Sequence, residues 1–341
     1  ALCSPAPAVP FTIIALPDTQ VYNKTANPNL MDGQAEWIVA NKEPLNIVFV
    51  SQFGDFTDDG TKAEYWKHAT AAIEKLDAKV PYSVSFGNHD LREKEGPVNS
   101  RAFLTKAHQG GPAFGGASKD GLSCYQIFSG GGFKFLHLNL SFSPSPDTLT
   151  WADGVVKANP KMPVIVTTHC YLNIDGNRTP AKNEVWNNLV AKNPRIFMVL
   201  CGHFHGEAQR LGKNEAGLNV IQMLADYQND PKGGNGWLRQ ITFKPEEGRI
   251  HFKTYSPYLK TFRDGLNSDF SFDAAFDASN NSIVVLGQTG LPPDTLTPCI
   301  VKKVGPRNLI VSEGKPVSFS VKAEGTSPLF YQWRKNGKDI P

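Results

Sequence analysis

Short, largely apolar runs, each closed by a polar cluster, recur along this chain with helical spacings between them. Residues 11–16, 46–53, 82–86, 164–168 and 196–200 are such runs, of the kind that strands covered on both faces require. Residues 30–42 repeat apolar positions at helical spacing around Trp37 and Ile38. Residues 61–76 place Tyr65, Ala69, Ala72, Ile73 and Leu76 on one helical face. Further helices are predicted over 147–158 and 180–192. Residues 124–128 and 133–140 read as a hairpin across Gly130-Gly131-Gly132. Beyond His205, residues 209–260 are rich in strands, with a glycine-rich loop at Gly233-Gly234-Asn235-Gly236-Trp237. Alternation of strand and helix followed by mostly strands predicts an α/β protein, a mixed sheet sandwich flanked by helices.

From about residue 298 the pattern changes. Residues 311–321 alternate apolar and polar side chains, and residues 330–338 form a second strand running into an Asn336-Gly337 turn. This stretch resembles the front half of an immunoglobulin-like module, with Trp333 as the buried strand residue and without the paired cysteines. Such a module runs to about 100 residues, so the stretch is expected to be a truncated remnant of a longer multidomain protein. The predicted organisation is a large domain over 1–297 and a partial β-sandwich segment over 298–341.

Composition narrows the classes without choosing among them. Hydrophobic residues make up 40% and charged residues 20%, and the formal net charge is +3, so totals alone make no case for nucleic-acid or membrane binding. No run reaches the roughly 18 apolar residues of a membrane span. Five cysteines, at 3, 124, 170, 201 and 299, include no Cys-x-x-Cys pair. Cys170 and Cys201 are expected to be small buried thiols, and Cys3 and Cys299 are candidates for a disulfide. The opening Ala1-Leu2-Cys3-Ser4-Pro5 looks like the start of a mature secreted chain, so a secreted or periplasmic bacterial location is expected.

The chemistry is concentrated in five polar clusters, each after a predicted strand: Asp18-Thr19-Gln20, Gly54-Asp55-Phe56-Thr57-Asp58, Gly87-Asn88-His89-Asp90, Thr167-Thr168-His169 and Gly202-His203-Phe204-His205. Four of the eight histidines fall in them. Each cluster alone has an ordinary reading as a turn, a cap or a packed histidine. Together they supply the oxygen and nitrogen donors, and a carboxylate able to bridge, that a pair of metal ions needs. His68 is expected to be exposed, His137 packed, and Trp237, Arg239, Tyr171, Asn173 and Tyr227 are candidates to line a pocket.

The order Asp-x-Gln, Gly-Asp-x-x-Asp, Gly-Asn-His-Asp, His, Gly-His-x-His resembles the calcineurin-like metallophosphoesterases over roughly residues 10–260. That resemblance implies a four-layer αββα sandwich with two metal ions at the sheet edge, manganese, iron or zinc. One ion would take Asp18, Gln20, Asp55 and His205, and the other Asp55, Asn88, His169 and His203. It implies hydrolysis of small-molecule, lipid or nucleotide phosphate esters. Hydroxide bridging two cations ~3.5–4 Å apart would attack phosphorus. His89 would protonate the leaving oxygen, with Asp58 holding its other ring nitrogen and Asn88 presenting its amide nearby.

Three departures matter. The usual first-motif histidine is Gln20, a harder and weaker donor that favours manganese, iron or magnesium over zinc. Asp58-Asp59-Gly60 stands where the protein phosphatases carry Asp-Arg-Gly, so a phosphate-gripping arginine is missing. The tyrosine ligand of the purple acid phosphatases is replaced by Thr57 or Asp58. Asp-Thr-Gln, with Tyr227-Gln228 and the glycine-rich run, resembles a secreted bacterial subgroup. With only Arg92 beside the motifs, phosphodiesters or a broad range of esters are favoured; a phosphomonoesterase, or a weakly catalytic binding protein, is the alternative.

Overall fold

The structure, a computed structural model, describes residues 9–23, 30–108, 111–179 and 183–289, with short strands at 299–304, 320–324, 334–335 and 338–339. Two sets of parallel strands organise it. In the first, β1 (Phe11–Leu16), β2 (Ile47–Gln52) and β3 (Tyr82–Val84) run side by side. In the second, β6 (Phe133–Leu140), β7 (Val164–Thr168), β8 (Ile196–Cys201) and β10 (Asn219–Asp226) do the same. Antiparallel strands complete and connect them: β4 (Phe114–Ala117), β5 (Cys124–Gly130), β9 (Gly206–Lys213), β11 (Leu238–Lys244), β12 (Arg249–Ser256), β13 (Thr261–Phe262), β14 (Asp269–Asp277) and β15 (Ser282–Gln288). One hydrogen-bonded path runs β3-β2-β1-β11-β12-β14-β15-β10-β8-β7-β6-β5-β4, with β13 on β12 and β9 on β10.

Side-chain alternation sorts the core. Phe11, Ile13 and Ala15 of β1 share one cluster with Phe128, Phe135, Ile165, Leu200, Ile221 and Phe252, so one face of each strand set is buried in common. Ile14 and Leu16, on the other face of β1, pack under α1 (Leu30–Asn41) and α2 (Ala63–Ile73). Leu136, Val166 and Val199 pack under α4 (Pro146–Ala158) and the short helical stretch ending at Val190. Both faces of the parallel strands are therefore apolar, which is why they read as unbroken hydrophobic runs. Ser145 caps α4, its side chain accepting from the Thr148 N–H at 3.1 Å, with Pro146 at the first helical position.

Several expectations needed adjustment. In α2 it is Trp66, not Tyr65, that joins Ala69, Ala72 and Ile73 in the core. His68 is half-buried, its Nδ1 3.1 Å from the Asn23 carbonyl. Helix α3 (Glu95–His108) was not foreseen; few of its residues, Phe103 and Leu104 among them, are apolar and buried. Strands β14 and β15 lie beyond the stretch read as strand-rich. His137 is packed as expected, its Nε2 3.1 Å from Ser51 Oγ and 2.9 Å from Thr167 Oγ1. Cys124, Cys170 and Cys201 are buried cysteines outside any disulfide.

Cys3 and the side chain of Cys299 lie outside the described residues, as does most of the immunoglobulin-like stretch, Trp333 included. There the described pieces are Cys299–Val304 paired with Ser320–Glu324, and Arg334–Lys335 paired with Lys338–Asp339. Among the described residues no helix is long and apolar enough to cross a membrane.

Arg239 is fully buried and does not line a pocket. Its guanidinium donates to Glu207, Tyr227, Thr254 and the Asn267 carbonyl, tying β9, β11 and β12 together. Arg239→Met leaves the largely buried Glu207 carboxylate with Arg263, 3.6 Å away, as its remaining cationic partner. It is expected to cost about 3–5 kcal/mol in urea unfolding. The double change Glu207→Gln/Arg239→Met should recover part of that loss.

Candidate metal centre

Every parallel strand that borders the site delivers one polar group from its carboxyl end. Asp18 follows β1, Asp55 follows β2, Asn88 and His89 follow β3, His169 follows β7, and His203 and His205 follow β8. Asp18, Asp55 and His203 have positive φ, 35°, 48° and 75°. Non-glycine residues held in that region mark sites where the fold imposes a side-chain direction. Two glycines make the close approach possible. A Cβ on Gly87 would sit 2.0 Å from Asp55 Oδ1, and one on Gly202 would sit 1.9 Å from Asp18 Oδ2.

His169 is the hub. Its Nδ1–H donates to the Phe53 carbonyl at 3.0 Å, a partner that can only accept, so Nε2 is the atom turned to the site. That Nε2 lies 3.2 Å from Asp55 Oδ2, 3.2 Å from Asn88 Oδ1 and 3.2 Å from His203 Nδ1. Two ligands each ~2.0–2.2 Å from one ion are separated by about this distance. The ligand atoms of Asp55, His169 and His203 all lie within 4.8 Å of one another. Phe142 packs against both imidazoles, its ring 5.9 Å from His169 and 5.6 Å from His203.

A second set adjoins the first through Asp55. Gln20 Nε2 is 3.2 Å from Asp55 Oδ2 and 2.7 Å from Gln228 Oε1. Gln20 Oε1 is buried and has no hydrogen-bond partner among the described residues. An unpaired acceptor beside carboxylates suits a cation. His205 Nε2 is 2.6 Å from Gln228 Nε2 and 3.8 Å from Asp226 Oδ2. Both Asp18 oxygens accept from the His203 N–H, at 3.1 and 3.2 Å. Carboxylates, imidazoles and amide oxygens gathered this way fit manganese, iron or zinc.

His89 stands at the rim. Its N–H donates to Asp55 Oδ1 at 2.9 Å, and its Nε2 is 4.0 Å from Asp55 Oδ2. The nearest partner of Nδ1 is the Asp58 main-chain carbonyl at 2.7 Å; the Asp58 carboxylate lies at 3.8 Å. The expected Asp58 contact is thus made by the backbone. Arg92 Nη2 lies 3.0 Å from His89 Nδ1. Of the other pocket candidates, Tyr171, Tyr227 and Trp237 are buried, with the two tyrosines bonded to Gln222 and to Glu207 and Thr254; Asn173 is half-buried.

The motif reading assigned no role to Asp90, Asp226 or Gln228. Asp90 is fully buried and accepts from the N–H groups of Phe56, Thr57 and Gly87 and from Thr57 Oγ1, clamping the β2 and β3 loops together. Asp226 and Gln228 close the site from the end of β10. The signal was present: Asp226-Tyr227-Gln228 is a sixth polar cluster after an apolar run.

Residues 11–207 match the calcineurin-like phosphoesterase family. In Bacillus subtilis (strain 168), uncharacterized protein YvnB is 34% identical over 264 residues, which covers 73% of this chain and 20% of the relative. The chain therefore spans about a fifth of that protein's length. Purple acid phosphatase PPD1 from yellow lupin seeds superposes with a TM-score of 0.54 at 15% identity, over 82% of this chain and 56% of its own. GAP50, the anchor in the inner membrane complex of Plasmodium, gives 0.51 at 12% identity, over 80% and 93%. At these identities both structures show likeness of fold.

Without metal, the centre is a set of buried carboxylates close enough to feel one another's charge. Burial, then Asp226 and Asp55, hold Asp18 well above the usual carboxylate range. Burial raises Asp226 as well, and burial with the Asp55 charge pushes Asp90 up to about 6. Asp55 goes the other way, because His169 and His89 outweigh its burial. Asp90 holds a proton in the folded state that the unfolded chain has lost, so its share of stability is lost as pH rises between about 4 and 6, and the raised Asp18 and Asp226 act in the same direction. Metal-free protein is expected to melt higher at pH 5 than at pH 7.5 by scanning calorimetry. Metal-loaded protein should show the reverse order, because ligands must be deprotonated.

Proposed function

We propose, from the premise that this chain belongs to the calcineurin-like phosphoesterase family, that it is a two-metal hydrolase of phosphodiesters with a broad range of esters. The observation that carries the reading is the meeting of Asp55, Asn88 and His203 around His169 Nε2, from loops after four different strands. Asn88, His169 and His203 would hold one ion and Asp18, Gln20 and His205 the other, with Asp55 shared between the two sets. Asp55 Oδ2 lies 3.2 Å from His169 Nε2 and accepts from Gln20 Nε2 at 3.2 Å, which supports its place between them. The three apolar clusters support a scaffold of four layers, helix, sheet, sheet and helix.

When bound, two divalent ions supply an activated water and neutralise charge on the phosphoryl oxygens. The protein's own groups do the rest. With Nδ1–H committed to the Asp58 carbonyl, His89 keeps Nε2 for proton exchange on the side of Asp55. It gives that proton to the leaving alkoxide. Asn88 ligates through Oδ1 and leaves its NH₂ to donate to the substrate. Asp18, Asp55, Asp58 and Asp226 surround the site, while Arg92 is the guanidinium against His89. That balance suits a singly charged diester better than a dianionic monoester. Arg92 favours the second reading, a phosphomonoesterase.

Turnover of a chromogenic diester and the matching monoester, with metal content read in parallel, tests the proposal. Two ions per chain and faster diester hydrolysis are expected; protein that takes up no metal when it is supplied and turns over neither ester sinks it. Arg92→Ala should slow the monoester and spare the diester. His89→Asn should keep both ions and lose roughly 10²–10⁴-fold on alkyl esters, where the leaving group needs a proton. An undiminished alkyl-ester rate removes His89 from that role. His203→Ala should lose metal by elemental analysis, and unchanged content refutes its place as a ligand.

A further inference from the structure

We propose that Asp226 is an additional ligand of the ion held by Asp18, Gln20, Asp55 and His205, supplying the donor lost where Gln20 stands in place of an imidazole. The inference rests on the two-metal reading above and concerns a residue outside the five motifs.

Chain geometry puts Asp226 at the site. Strand β10 runs parallel to β8 with Leu224 level with Cys201, so Asp226 is the strand-end counterpart of His203. Across the antiparallel ladder it faces Gly206, the residue after His205. The side chain is 1% exposed. Its two oxygens are divided in their partners. Oδ1 accepts from the Gln228 N–H at 2.9 Å, the ordinary role of a turn aspartate. Oδ2 lies 3.8 Å from His205 Nε2, a separation that two ligands of one ion can have.

Gln20, His205 and Asp226 all converge on one amide, that of Gln228. Its Nε2 is 2.6 Å from His205 Nε2 and 3.2 Å from Asp226 Oδ2, and its Oε1 is 2.7 Å from Gln20 Nε2. The Gln228 NH₂ donates into the same group of acceptors that a cation would neutralise. Gln20 Oε1, on the same side-chain amide whose Nε2 meets Gln228, is buried without a partner among the described residues. Two features of this Gln228-centred group thus suit a cation: an unpaired amide oxygen and a buried carboxylate oxygen facing an imidazole.

The donor chemistry is consistent. Exchanging imidazole for an amide removes a strong nitrogen donor, and adding a carboxylate restores affinity with a hard oxygen. The resulting set, rich in oxygen, selects manganese or iron(II) over zinc.

Titration of the metal-free full chain with manganese by calorimetry, followed by electron paramagnetic resonance of the loaded protein, tests this. Wild type should take two ions and show the spectrum of a coupled pair. Asp226→Asn, which retains the Gln228 turn bond, should bind the first ion unchanged and the second more than about 30-fold more weakly. Its spectrum at one equivalent in excess should be that of isolated manganese. The metal-free variant should melt no lower than metal-free wild type, because the change removes one of several neighbouring buried carboxylates. Two ions of unchanged affinity in Asp226→Asn overturn the inference and leave the two-metal reading intact. A variant that melts lower while keeping both sites marks Asp226 as a turn residue only, which also overturns it. Fewer than two ions in wild type sinks the two-metal reading and this inference with it.

Discussion

Burying several carboxylates within reach of one another is the constraint around which this molecule is arranged. Asp18, Asp55, Asp90 and Asp226 are all nearly inaccessible to water. Such groups are costly to bury unless each is hydrogen-bonded or faces a cation. Two strand sets with shared apolar faces hold the loops rigidly enough to meet that cost. The aromatic cluster of Phe11, Phe49, Phe128, Phe135 and Phe243 fastens the strands, and the loops at their carboxyl ends inherit the rigidity.

The carboxylates divide the work. Asp90 is satisfied by the protein alone, with three backbone N–H groups and one hydroxyl on its two oxygens. It binds the β2 and β3 loops to each other, and through them sets where Asp55 and Asn88 stand. Among the described residues Asp55 accepts one backbone N–H, from His89, and turns its other oxygen to His169 and Gln20. The same contrast separates the imidazoles. His169 is oriented by a main-chain carbonyl, as ligand histidines commonly are. His89 is oriented by another carbonyl yet sits at the rim, where a proton can be exchanged with solvent or substrate.

The two-metal proposal gives the β10 end particular weight, because Gln20 stands where the family resemblance leads one to expect an imidazole. An amide is a poorer ligand than imidazole, and Asp226 and Gln228 stand beside the place where it falls short. Beneath them, Glu207 and Arg239 form a buried pair that anchors the segment following His205. The exposed His205 ring is therefore backed on one side by a rigid polar network and on the other by β10.

Most of the centre was legible in the residue order. Asp18, Gln20, Asp55, Asn88, His169, His203 and His205 are named by their position after apolar runs, because a fully buried strand leaves an unbroken hydrophobic trace and its end is the first place a polar side chain is tolerated. The strands β1, β2, β7 and β8 were readable for the same reason. Helix α3 was not, since its buried side is carried by few apolar residues. Neither was the part played by Asp90, whose partners are backbone groups of distant loops that no pattern of side chains announces. Which oxygen or nitrogen of each residue faces inward, that Asp58 meets His89 through its carbonyl, that Arg239 is buried rather than at a pocket wall, and that Asp226 lies against His205 were decided by tertiary structure alone. Sequence spacing sets the order in which groups reach the strand ends. Only the pairing of strands and the packing of their shared faces sets the distances between them.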